Sequence, residues 1–159
     1  MSINIRLASI GDASRLAKWM NETDGDPYDW TVTKIELYVL NNFVLIAEDT
    51  KKDNQIVGRL FFQPTEQPLL GVGEVQGVVI DNKYRGRGIG KSLLDRAIQE
   101  SDTYFKRWGI DNFRLFLYTR SSNEPAKTLY KGFGFRENSL VGKMFRKDQS
   151  DELLMSRGF

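Results

Sequence analysis

A chain of 159 residues with 40% hydrophobic and 28% charged residues has the size and composition of one globular domain, expected here over residues 1–159. Cysteine and histidine are both absent, which excludes a disulfide framework, a thiol nucleophile, an imidazole base and the usual zinc ligand sets, so no metal is expected. A net charge of +2 with scattered cations argues against nucleic acid, and the absence of a membrane-length apolar run or a leader-like start favours a cytoplasmic location.

In chain order, INIRLAS alternates as a first strand, and Asp12 or Ser14 can cap a helix carrying Leu16, Ala17, Trp19 and Met20. NETDGDPYDW is an acidic, turn-rich loop, after which Thr31 or Thr33 opens a second helix through Ile35, Leu37, Tyr38 and Leu40. FVLIAED and QIVGRLFFQ flank TKKDN and predict an antiparallel hairpin. PTEQPLLGVG is a loop leading into the β-branched strand of Val75, Val78, Val79 and Ile80. Leu93, Leu94, Ala97 and Ile98 mark a helix running to about Trp108. FRLFLYT is the next strand, a short helix runs from there to about Tyr130, and FGFREN and DELLMSRG complete the sheet. Strand runs with two pairs of helices predict an α+β fold with helices on both faces of the sheet. Trp19, Trp108 and the phenylalanines are expected in the core.

The segment between the fourth predicted strand and its helix carries the most chemistry. Gly86, Gly88 and Gly90 allow close backbone approach, while Arg85, Arg87 and Lys91 add positive charge at a helix N-terminus, the arrangement of a phosphate-binding loop. It is not a P-loop, because Arg85 stands where the first glycine before Gly90-Lys91-Ser92 is required. Nor is it a dinucleotide fingerprint, because Lys91 replaces the small third residue. Arg85-x-x-Gly88-x-Gly90 after a strand, with Asn123-x-x-Ala126-x-x-Leu129-Tyr130 and Gly134-Phe135 downstream, resembles the GNAT superfamily of N-acetyltransferases.

The resemblance implies a mixed, mostly antiparallel twisted sheet of about six to seven strands, with two central strands splayed around the pantetheine arm of acetyl-CoA. It assigns the diphosphate to Arg85, Gly86, Arg87, Gly88, Ile89, Gly90, Lys91 and Ser92, and the acyl end to the backbone of Val78, Val79 and Ile80. The N–H of Val78 is expected to donate to the thioester carbonyl as charge develops there. Asn123 is expected to tie the cofactor arm or to cap its helix.

The implied reaction is direct attack of a primary amine on the thioester in a ternary complex. An amine with a pKa of about 10.4 is almost wholly protonated at pH 7, so a base is needed. Glu74 is expected to serve, directly or through water, provided its pKa is raised; Gln76, on the same strand face, can position a water. Tyr130 is expected to act as general acid toward the leaving thiolate. Carboxylates beside aromatics at Asp26, Tyr28 and Trp30 suit a cationic acceptor, though Asp and Gly in that loop also simply make turns. The acceptor is a small amine or a protein amino group, and the resemblance admits a homodimer. The competing reading is a non-catalytic acyl-CoA-binding module; an RNA-binding role for Arg-Gly-Arg-Gly ranks below both, lacking an aromatic platform.

Overall fold

The structure is a computed structural model that describes residues 2–23, 29–41, 43–65, 67–143 and 150–158. Those residues hold β1 (Ile3–Leu7), α1 (Ala13–Thr23), α2 (Val32–Asn41), β2 (Phe43–Asp49), β3 (Gln55–Pro64) and β4 (Val72–Ile80). They continue with α3 (Ile89–Arg107), β5 (Arg114–Arg120), α4 (Glu124–Gly132), β6 (Arg136–Val141) and β7 (Glu152–Arg157). The strands hydrogen-bond in the order β1-β2-β3-β4-β5-β7-β6 as one mixed sheet. β4 and β5 are parallel, and the pairs β1–β2, β2–β3, β5–β7 and β6–β7 are antiparallel. This is the α+β arrangement, with seven strands, that the motifs imply. Among the described residues no helix is long and apolar enough to cross a membrane, and no group of three acidic side chains could hold a metal ion.

The chain forms two compact units, Met1–Gln63 with Gly77–Glu100, and Pro64–Gln76 with Ser101–Phe159. β4 and α3 each contribute residues to both. In the first unit β2 and β3 are almost continuously buried, which explains why FVLIA, and IVGRLFF apart from Arg59, read as continuous apolar runs rather than as alternation. Leu16, Met20, Ile35, Ile46 and Phe61 pack with Trp19 and Trp30 into one cluster. Thr31 caps α2, its Oγ1 accepting from the Lys34 N–H at 3.3 Å. Asp12 precedes α1 in a short 3₁₀ turn and accepts from the Ser9 N–H at 2.8 Å.

The same carboxylate belongs to an ionic network in which the acids are buried and the arginines partly exposed. Arg6 donates to Asp12 at 2.7 and 2.8 Å and to Glu48 at 2.8 and 2.9 Å, and Arg15 bonds both acids as well. Hydrogen bonding from Arg6 holds the Asp12 carboxyl well below the usual carboxylate range. Burial opposes ionisation of Glu48, but the bonds from Arg6 and Arg15 outweigh it and the net shift is downward.

The second unit shows a period of two. Val75, Leu115, Leu117 and Met155 are buried, while Glu74, Gln76, Phe116 and Tyr118 lie half-buried on the opposite face. The register Glu74↔Phe116 and Phe116↔Ser156 carries that face from β4 across β5 to β7. Two expectations are corrected here. Trp108 is 50% exposed rather than core: it comes after the end of α3 in a closing turn, and Phe105 takes the buried position, stacked on Phe113 at 5.1 Å. β6 begins at Arg136, three residues later than the apolar pattern FGF suggests, because Gly134 at φ +81° closes α4 and Phe135 packs against Tyr130.

Candidate active site

β4 is interrupted at Gly77, where φ is +49° in the middle of a strand. The reason lies beneath it. Arg59, only 5% exposed, donates from Nη1 to the Gly77 carbonyl at 2.9 Å, with its guanidinium 4.5 Å from the Phe61 ring centre. A Cβ at position 77 would lie 2.8 Å from Arg59 Nη1. A left-handed residue inside a strand breaks the ladder and re-aims the residues after it, which here are Val78, Val79 and Ile80. Their side chains are half-buried, with Val79 against the core cluster, so packing occupies the side chains and leaves the chemistry to the backbone.

The glycine loop is tied back to this strand. The Asp81 N–H donates to the Val57 carbonyl at 2.9 Å, and the Asp81 carboxylate accepts from the Lys83 N–H. Tyr84 is buried, its hydroxyl donating to Asp49 at 3.1 Å, and the guanidinium of Arg87 sits 5.4 Å from its ring centre. Arg85 donates from Nε to the Ile80 carbonyl at 3.2 Å. Gly86 and Gly88 then adopt φ values of +71° and +79°, and a Cβ at either would meet nothing within 4 Å. Glycine is therefore needed for the backbone conformation, and the space above it is open. α3 starts at Ile89, whose side chain is buried and anchors the turn, while Arg85, Arg87, Lys91 and Ser92 are exposed. The first N–H groups of a 19-residue helix lack intrahelical acceptors and face this space with the positive end of the helix dipole. An open cradle of backbone donors flanked by three cations fits a diphosphate.

In the second unit Glu74 and Gln76 share a face of β4, and Gln76 Nε2 donates to Glu74 Oε2 at 3.1 Å. Burial pushes the Glu74 carboxyl above its ordinary value, and the bond from Gln76 draws it only part of the way back. A raised carboxyl pKa is the property that a base for an amine requires. Tyr130 lies on α4, 5% exposed, with its ring 5.9 Å from Phe135. Asn123 caps α4, its Oδ1 accepting from the Ala126 N–H at 3.2 Å, with Pro125 in the first turn.

The other expected residues fall differently. Asp26 and Tyr28 lie outside the described residues. Trp30 is 8% exposed and belongs to the core, edge-on to Tyr38 at 5.4 Å, its backbone N–H and C=O both bonded by the Asn21 side chain. Arg59 and Tyr84, which fix the strand and the loop, were not legible as site residues. The signal for Arg59 was indirect: an isolated glycine inside a β-branched strand marks a bulge or close approach, and Gly77 is such a glycine.

Residues 12–135 match the family model of the acetyltransferase (GNAT) family. An N-alpha-acetyltransferase of Sulfolobus acidocaldarius is 33% identical over 167 residues, covering 98% of this chain and 92% of that protein. The N-alpha-acetyltransferase RimI of Mycobacterium tuberculosis is 32% identical over 84 residues, a match spanning 53% of this chain and only 48% of that protein. Arabidopsis thaliana NAA60 in complex with acetyl-CoA superposes with a TM-score of 0.77 at 18% identity, covering 99% of each chain, which shows a shared fold. The match of the family model over most of the chain establishes that this protein belongs to the acetyltransferase (GNAT) family.

Proposed function

We propose that this protein transfers the acetyl group of acetyl-CoA to a primary amine, with the α-amino group of a protein or peptide as the favoured acceptor and the cytoplasm as its location. The observation that carries the reading is the cradle at the head of α3, where two left-handed glycines open the backbone between three exposed cations. Acetyl-CoA supplies an activated thioester and a diphosphate by which it is held. In this reading the amides of residues 86–91 bind that diphosphate, and the Val78 N–H donates to the thioester oxygen. Glu74 takes a proton from the amine, and Tyr130 returns one to the departing sulfur.

The α-amine is favoured on two grounds. The S. acidocaldarius protein, which covers nearly all of this chain, is named an N-alpha-acetyltransferase. An α-amino group has a pKa of about 7.7–8.0, so its deprotonation at pH 7 costs roughly 1 kcal/mol, against about 4–5 kcal/mol for a lysine side chain. A carboxylate with a moderately raised pKa suits the former better.

The test is thiol release from acetyl-CoA against peptides with a free N-terminus, N-terminally blocked lysine peptides, amino acids and polyamines. Release with free N-termini, lost in Glu74→Gln and reduced in Tyr130→Phe while CoA still binds, is the expected result. No release above background with any amine, with CoA binding intact, favours the non-catalytic binding module instead.

A further inference from the structure

A cavity of about 310 Å³ lies in the second unit, where β5 begins, β6 begins and β7 ends. Among the described residues, three arginines line it, Arg114, Arg136 and Arg157, together with Asn138, Ser156 and two glycines. No carboxylate and no apolar side chain occurs among these residues. The nearby Glu137 pairs with Met155 in the β6–β7 register, one residue out of step with Arg136, and its carboxylate is held by Lys131 at 2.7 Å. Arg157 is fixed by donating from Nη1 to the Phe133 carbonyl at 2.9 Å.

We propose that this cavity is a binding site for a phosphate-type oxyanion, either free or carried by an acceptor. Three guanidinium groups offer many more donors than the two oxygens of a carboxylate can accept, whereas a phosphate presents three or four oxygens on a tetrahedron. The amide of Asn138 and the hydroxyl of Ser156 add neutral donors. The register also places the site. Arg136 pairs with Ser156, Ser156 with Phe116 and Phe116 with Glu74, so Arg136 and Ser156 share a sheet face with Glu74 and begin two strands away, roughly 10 Å, while Arg157, paired with Leu115, reaches the cavity from the end of β7. A group bound there is within reach of an amine acceptor at Glu74. The assignment of the cavity itself stands independently of the proposed acetyl transfer.

The experiment is calorimetric titration of the full chain with inorganic phosphate, with CoA at saturation and chloride and acetate as controls at matched ionic strength. One phosphate per chain is expected, bound more tightly than either control. Arg136→Gln is expected to weaken it about tenfold, and Asn138→Asp, which places a carboxylate in the wall, at least as much. Both positions are exposed, so folding is not at stake. Absence of phosphate binding, or binding unchanged in both variants, overturns the proposal. Loss in Gly88→Ala rather than in Arg136→Gln moves the anion to the glycine loop and also overturns it, whether or not acetyl transfer is observed. Where an amine turns over, phosphate that raises its KM without changing kcat identifies the site with the acceptor's own anion; an unchanged KM identifies a separate ligand.

Discussion

Arg59 and Gly77, both in the first unit, are joined by a hydrogen bond of 2.9 Å from a buried guanidinium to a carbonyl whose residue is left-handed. The bond accounts for two facts at once: a cation buried in an apolar strand, and a break in β4 immediately before the residues expected to meet the acyl group. Arg59→Met removes the charged donor to the Gly77 carbonyl and its contact with the Phe61 ring. A loss of about 1–3 kcal/mol in urea unfolding is expected. Gly77→Ala is expected to cost a similar amount, roughly 1–3 kcal/mol, because its φ of +49° strains any residue with a Cβ.

Glu74→Gln separates chemistry from stability. The raised carboxyl pKa means that the folded state holds this proton more tightly than the unfolded state. The stability it contributes is present below the ordinary carboxylate value and is lost as pH rises through the raised one. At pH 7 the variant is therefore expected to be at least as stable as the native chain in thermal melts. Turnover should fall about a hundredfold or more, and the acid limb of kcat/KM, lying above the ordinary carboxylate range in the native protein, should disappear.

The Arg6–Asp12–Arg15–Glu48 network predicts the opposite pH dependence. Both carboxyl pKa values are lowered, so their contribution is present above the ordinary values near 4 and is lost as pH falls below them. Asp12→Asn is expected to cost roughly 1–3 kcal/mol at pH 7, less than a fully buried pair, because the side chains of Arg6 and Arg15 are 35% and 39% exposed. Unfolding free energies between pH 3 and 7 should converge toward the native values at the acid end.

The sequence was legible where its signals are local. β2 and β3 read as strands because their apolar runs are short and β-branched, and the glycine turn ahead of α3 was legible because its logic is contained in the eight consecutive residues from Arg85 to Ser92. The requirement for a raised Glu74 pKa came from the chemistry of amines, and burial of a strand-face carboxylate supplies that direction. Long-range pairings were not legible. Arg59 lies 18 residues from Gly77, and Arg6 lies 42 residues from Glu48, so neither partnership leaves a mark in any window. Trp108 departs for a related reason: residue type suggests core, whereas the turn after α3 exposes it, and the burial of Trp30 against Tyr38 of α2 was equally invisible beside the acidic loop it follows.

The decisive experiment for the glycine cradle is calorimetric titration of CoA into the native chain and into Gly88→Ala. Position 88 has open space around it, so the substitution acts through backbone conformation at φ +79° and by placing a methyl group in the cradle. One CoA per native chain is expected, with an affinity at least tenfold weaker in the variant and only a small change in melting temperature. No heat with the native chain, or equal affinity in both proteins, would show that the coenzyme is not held at the head of α3.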